Sequence, residues 1–302
     1  MIHYEHDTAC PELGPICATR NEPPQRHVQD FQMVELRASL EWAPFEHVSF
    51  EAQLPFRIVS KSVVYQHLDG VTFTPDHVDI HHRNETLSGI GDVVVSAHGH
   101  GKAGPLTLGG RLGLSLPTGR TVKNPFALGD AGVIHQHTQH GTGTVNPILA
   151  FDLGWASPSR TWGVGGFVLA QLVPYASSEG YQAGHRVVGG VTGRYSPVSG
   201  LDLTLGFNVA HEATERWDGE VLEDGNLGRT DLLAAVGIAY SINGFRIGLD
   251  VRVPFYTAIA REHSHGTAGG SEDETLTFPV IIGLTIDGVM STAVPYKRGK
   301  TR

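Results

Sequence analysis

The chain has 302 residues with 38 Gly, 17 Pro, only 18 % charged residues, a net charge of -9 and a mean hydropathy of -0.10. No run of about 18 apolar residues occurs, which excludes a helical membrane protein, and the acidic balance argues against nucleic acid, which needs a basic face. Long Leu/Ala/Glu/Lys periodicities are missing, and the five lysines are few for a water-exposed surface.

The first thirty residues carry no strong pattern. Cys10 and Cys17, near Pro11 and Pro15, could close a small loop in an oxidising compartment or stay as two free thiols. "MIHYEHDTAC" has neither the basic start nor the apolar core of a signal peptide, so either export is absent or the natural start lies elsewhere.

From about residue 31 one theme repeats: an alternating segment, a short turn, another segment, a long loop. "VELRASLEW" sets Val34, Leu36, Ala38, Leu40 and Trp42 opposite Glu35, Arg37, Ser39 and Glu41. "HVSFEAQLPF" sets Val48, Phe50, Ala52, Leu54 and Phe56 opposite His47, Ser49, Glu51 and Gln53. There follow "GDVVVSAHG", "LTLGGRLGLSL", "VNPILAFDLGW", "WGVGGFVLAQL", "HRVVGGVTGRY", "LDLTLGFNVA", "DLLAAVGIAYSI", "FRIGLDVRVPF" and "LTFPVIIGLTI", eleven segments in all. Period-two alternation of this kind predicts strands with two unlike faces.

One face is almost purely apolar, as in Leu106, Leu108, Gly110, Leu112, Leu114 and Leu116. The other mixes charges with small residues, as in Thr107, Gly109, Arg111, Gly113 and Ser115. An apolar outside and a polar inside, repeated over successive hairpins, is the pattern of a transmembrane barrel, whose closure satisfies every backbone group in the bilayer. Connections alternate between short (43–46, 100–104, 156–160, 196–200, 242–244) and long (58–88, 118–144, 174–184, 213–229, 258–275). In such barrels the short turns face the periplasm and the long loops the outside. Trp42, Trp155, Trp162, Tyr195, Tyr240 and Phe245 flank the short turns on the apolar face, as aromatics of a bilayer interface do.

The expected fold is therefore an all-β, transmembrane, antiparallel up-and-down β-barrel of about twelve strands. Eleven are visible, and even parity suggests a truncated first strand with "MIHYEH" as its ragged end. A twelfth crossing within 59–82 is the rival explanation. The expected organisation is an outer loop or remnant at 1–30, the barrel at 31–287 and a tail at 288–302.

Inward parity collects Glu35, Arg37, Glu41, Glu51, Arg111, Asp152, Arg186, Arg194, Asp202, Arg246, Asp250 and Arg252. These either fill the barrel as a lattice of ion pairs or line a polar path that selects a solute; inward glycines such as Gly109, Gly113, Gly163 and Gly190 suggest free space. His135, His137 and His140 lie close together in a long loop at the expected outer mouth, where imidazoles can bind Zn, Cu or Ni if the loop folds around the ion. His98 and His100, His81 and His82, and His263 and His265 form further pairs at loops or strand ends. No CxxC or HExxH set supports a structural metal, and "REHSHG" lacks the orienting carboxylate of a nucleophile–base set. No catalytic residue, and no cofactor beyond weak divalent metal, is expected.

"SGIGDVVVSAHG" (88–99), "LGLSLPTG" (112–119) and "HGTGTVNPILAFDLGW" (140–155) occur in that order. They resemble the landmarks of a family of Gram-negative outer membrane β-barrels assigned to transport in the MetA phenol-degradation pathway. The likeness covers roughly residues 31 to 287. It implies an outer membrane location, a lipid environment and passage of small, aromatic or hydrophobic solutes, and it supplies no catalytic residues. The chain departs from outer membrane barrels in lacking a terminal aromatic after its last strand. The expected function is a passive channel or transporter. The alternatives are a non-transporting barrel whose His-rich outer loops bind metal or a surface partner, and a soluble all-β protein.

Overall fold

The computed structural model describes residues 2–8, 25–75, 83–222, 225–259, 275–277 and 280–288. Cys10, Cys17, His81, His82, His263 and His265 lie outside them, as does the tail beyond 288.

The strands in chain order are β1 (Ile2–Thr8), β2 (Gln25–Phe45), β3 (Val48–His67), β4 (Thr72–Phe73), β5 (Glu85–Ile90), β6 (Val93–Ala103) and β7 (Leu106–Leu116). After a one-and-a-half-turn helix α1 (Pro125–Asp130) come β8 (Asn146–Ala156), β9 (Trp162–Gln171), β10 (Tyr181–Gln182), β11 (Arg186–Val198) and β12 (Leu201–Glu212). The chain closes with β13 (Arg216–Trp217), β14 (Arg229–Ile242), β15 (Phe245–Ile259), β16 (Thr275–Thr277) and β17 (Ile281–Gly288).

One antiparallel sheet runs β16-β1-β2-β3-β6-β7-β8-β9-β11-β12-β14-β15-β17. Its two ends are β16 and β17, neighbours in the chain: β16 pairs with β1 and β17 with β15, which brings the two edges of the sheet toward each other. β5 and β6 likewise occupy one edge of β3, one above the other. Counted as continuous runs, these make a twelve-stranded up-and-down barrel, the architecture expected from the sequence. All eleven alternating segments are strands of it.

Two differences concern the ends of strands. β2 begins at Gln25, six residues before the expected boundary, and pairs with β3 as far as Gln25 and His67. Residues Ile2–Thr8, expected as outer loop or as the remnant of a first strand, form β1, paired with β2 from Ile2–Phe31 to Thr8–Gln25. Among the described residues of 59–82, β3 itself continues to His67 and only the short β4 follows, which pairs back onto β3.

Short turns set the hairpin registers. Asn243 and Gly244 both have positive φ (50° and 82°), the type I′ geometry whose twist matches paired strands. Register carries the alternation through the sheet, so one face presents Leu36, Leu40, Leu112, Phe151, Leu205 and Ile247, all well exposed. Large exposed apolar area on this scale marks contact with lipid. Trp42, Trp155, Trp162, Tyr195, Tyr240 and Phe245 stand on that face beside the short turns. Trp162 stacks on Tyr195 at 4.3 Å and Trp42 on Phe50 at 6.0 Å.

Candidate functional site: the lumen and its outer loop layer

The opposite face carries the ionic residues, and it is the concave one: Arg186 on β11 interacts electrostatically with Glu35 on β2, although five strands separate them in the sheet. Most of the inward charges are paired. Glu35 accepts from Arg57 at 2.7 Å and also meets Arg37. Glu51 meets Arg111 and accepts from Gln53 at 2.7 Å. Glu41 accepts from Ser49. Arg186 pairs with Glu212 at 2.8 Å, Arg246 with Asp202 at 2.9 Å and Arg252 with Asp250 at 2.9 Å. Asp152 lies 3.6 Å from His98, and Arg194 covers Gly163.

Gly109, Gly113 and Gly190 do not leave space free. A Cβ on Gly109 would lie 2.2 Å from the Asp152 carboxylate, one on Gly190 2.3 Å from Asn208, and one on Gly113 2.9 Å from Ser96. They are seats into which longer neighbours fold, as close backbone approach requires.

The lumen wall is two-sided. Ion pairs line it on β2, β3 and β7 and again on β11, β12 and β15. On β8, β9, β11 and β14 the inward register instead presents Ile148, Phe167, Leu169, Val188 and Leu233, with Asp152 opposite Phe167 and Val188 opposite Leu169. This apolar stripe is missed by reading the inner face as uniformly polar. "FVLAQL" and "DLLAAV" are apolar at both parities, so period two carries no signal there.

The three landmark motifs converge at the long-loop end. Asp92, at the junction of β5 and β6, accepts from the Gly119 amide (3.0 Å), the Thr142 amide (2.8 Å) and the Thr142 hydroxyl (2.7 Å). Thr144 and Asn146, both fully buried, extend the network through Thr142. Asp92 thus ties together both ends of the 118–145 loop.

That loop folds inward. The His140 ring rests on Gly89, its carbonyl accepts from Arg57 at 3.2 Å, and its amide donates to the Arg120 carbonyl at 3.1 Å. Burial, together with the nearby Arg57 and Arg120 charges, holds the His140 imidazole below the usual histidine range. His140 Nε2 is buried without a hydrogen-bond partner. Farther out, Val173, Tyr181, Ala183 and Trp217 form a small core against which Phe126 and Leu222 pack. Glu215, which accepts from the Trp217 indole at 3.2 Å, has its carboxyl pushed up by burial, and the Tyr181 hydroxyl is pushed up for the same reason.

The mouth histidines belong to this layer. His135 is 5 % exposed, with Nδ1 2.8 Å from the Val133 carbonyl, and its own carbonyl accepts from Arg83 at 2.7 Å. His137 packs edge-on against Phe126 with ring centroids 5.0 Å apart. His135 and His137 are neighbours at 5.2 Å, while His140 points to Gly89. Of the trio expected at the mouth, His135 and His140 are therefore buried in the loop's own interior, while His137 stays exposed beside Phe126. Among the described residues no three His, Cys, Asp or Glu side chains gather in a metal-holding arrangement.

No protein-family model matches the sequence. No curated protein matches it either. Among solved structures, the chain is similar to the crystal structure of the COG4313 outer membrane channel from Pseudomonas putida F1, with a TM-score of 0.52, 13 % identity, and 95 % of this chain and 93 % of that chain covered. It is also similar to in-vitro folded OmpT, an outer membrane protein of Vibrio cholerae, with a TM-score of 0.35, 9 % identity, and 84 % and 85 % covered. The first likeness shows the fold, an antiparallel up-and-down β-barrel like that of the solved outer membrane channel.

Proposed function

We propose that the barrel is an outer membrane channel or transporter for passive passage of small solutes, with aromatic or hydrophobic compounds as the favoured class. The observation that carries this reading is the two-sided lumen. Ion pairs such as Glu51–Arg111 line one wall and Phe167, Leu169 and Val188 the other. A small aromatic alcohol has the same division, an apolar ring and one polar group, and a site of mostly apolar lining with few polar groups suits it. Two likenesses support the reading: that of the three motifs to the phenol-pathway barrels, and that of the fold to a solved outer membrane channel. Transport here involves no covalent step, so the barrel needs only a path and a preference.

The test is influx into proteoliposomes of refolded protein, comparing phenol with a polar solute of similar size, alongside single-channel conductance in planar bilayers. Faster phenol influx with measurable conductance is the expected result. A membrane-inserted, heat-modifiable barrel with neither would overturn the reading and move the function to the outer loops.

A further inference from the structure

Three imidazoles collect at the other end of the lumen, by the short turns. His47 lies in the turn between β2 and β3, and His98 and His100 are alternate residues of β6 on its inward parity. The His100 amide donates to the His47 carbonyl at 3.0 Å, which places these two residues side by side across adjacent strands. Ring centroids are 6.0 Å apart for His47 and His100, and 5.8 Å for His98 and His100. Asp152 arrives from β8, two strands on from β6. Its carboxylate crosses β7 over the bare backbone of Gly109 and stops 3.6 Å from His98 Nε2.

We propose that this cluster binds a divalent transition-metal ion of the zinc class at the periplasmic mouth, with His47 and His100 as the first ligands and His98 and Asp152 within reach of the remaining positions. Imidazole nitrogen with one carboxylate is a donor set that suits zinc, whereas calcium and magnesium prefer all-oxygen sites. A metal–nitrogen bond of about 2 Å sets two imidazole rings that share an ion with their centroids roughly 5 to 6 Å apart. Both histidine pairs already stand near that spacing. The donors do not surround a common point as the side chains stand, so the ion completes the arrangement by turning rings about their χ bonds. His47 and His100 are exposed, which leaves them free to turn and open to an ion from the periplasmic side. Of the outer histidines, His135 and His140 are buried, and the exposed His137 is held edge-on against Phe126. A dication held here would sit in the path of any permeating cation.

The test is zinc binding to the refolded full chain in detergent, measured by competition with a chromophoric chelator at neutral pH. Wild type is expected to bind one ion. His47→Asn and His100→Asn should each weaken binding at least about tenfold, the loss that even an outer-shell change brings. His135→Asn and His137→Asn should leave it unchanged. All variants are first checked for the heat-modifiable mobility of a closed barrel. No binding at millimolar zinc, unchanged binding in both His47→Asn and His100→Asn, or a loss confined to the outer histidines would each overturn the site. The readout is independent of solute passage, so failure of the channel reading leaves it intact.

Discussion

Gly119 and Gly141 pass each other so closely that a Cβ on Gly119 would lie 2.6 Å from the Gly141 Cα, and one on Gly141 only 2.3 Å from Asp92 Oδ1. The two ends of the 118–145 loop cross at this point, and Asp92 holds both. Gly141→Ala should push the carboxylate aside, and Asp92→Ala should remove an acceptor of three hydrogen bonds. Hydrogen bonds to a charged group contribute about 1.5–3 kcal/mol each, without strict additivity, so a local loss of about 3 kcal/mol is expected. Limited proteolysis should then cut the loop faster in both variants, while the heat-modifiable barrel persists. A loop as protected as in wild type would show that Asp92 is not its anchor.

The seat of His140 gives the loop a dependence on pH. Burial and the Arg57 and Arg120 charges lower its pKa in the folded loop from an ordinary value of 6.5. A depressed pKa means that the released imidazole binds protons more readily than the seated one. The seat is therefore at full strength above about pH 6.5 and weakens as the pH falls below it. Conductance, or the rate of loop cleavage, should rise on acidification below that range. His140→Gln should flatten the profile. A wild-type profile that is flat between neutral and mildly acidic pH would contradict this.

How far each element could be read from the sequence depended on where its contacts come from. The eleven strands were legible because lipid on one side and polar groups on the other impose period two on residues such as Leu112 and Arg111. The upper part of β2 was not. Above the lipid, its outward positions Arg26, Asp30 and Gln32 are polar, and inward Gln25, His27 and Gln29 are buried, so the two faces no longer differ. The apolar stripe around Phe167 was hidden where both parities are apolar. The burial of His135 and His140 depends on partners distant in the chain, Arg83 and Gly89, and spacing within "IHQHTQH" holds no trace of them. The motifs "GIGD", "LPTG" and "GTGT" marked real landmarks, but their joint role at Asp92 needed three dimensions.

The charged wall should set ion preference. Glu51 is largely buried and faces Arg111 across β6. Glu51→Gln leaves the guanidinium uncompensated on the lumen wall, and Arg111→Gln does the reverse. A unit charge about 4 Å from a passing ion in water-like surroundings contributes roughly 1 kcal/mol, equivalent to about a fivefold change in permeability ratio. Reversal potentials in a salt gradient should move toward anions in Glu51→Gln and toward cations in Arg111→Gln. Shifts of the same sign in both would mean that the pair shapes the pore sterically rather than by charge.

The apolar wall should set solute preference. Phe167 is 41 % exposed on the inward register opposite Asp152, so a ring passing through the lumen can lie against it. Aromatic pairs contribute about 0.5–1.5 kcal/mol beyond the area they bury, and each buried methylene of a side chain adds about 0.8 kcal/mol. Phe167→Ala should therefore slow phenol influx into proteoliposomes by up to about tenfold while widening the path for ions. Leu169→Asn, which keeps the branched heavy-atom skeleton but puts an amide opposite Val188, should slow phenol with little change in conductance. That pairing separates preference from pore size. If both variants pass phenol at the wild-type rate, the stripe is packing within the wall, and the route of an aromatic solute lies along the charged side.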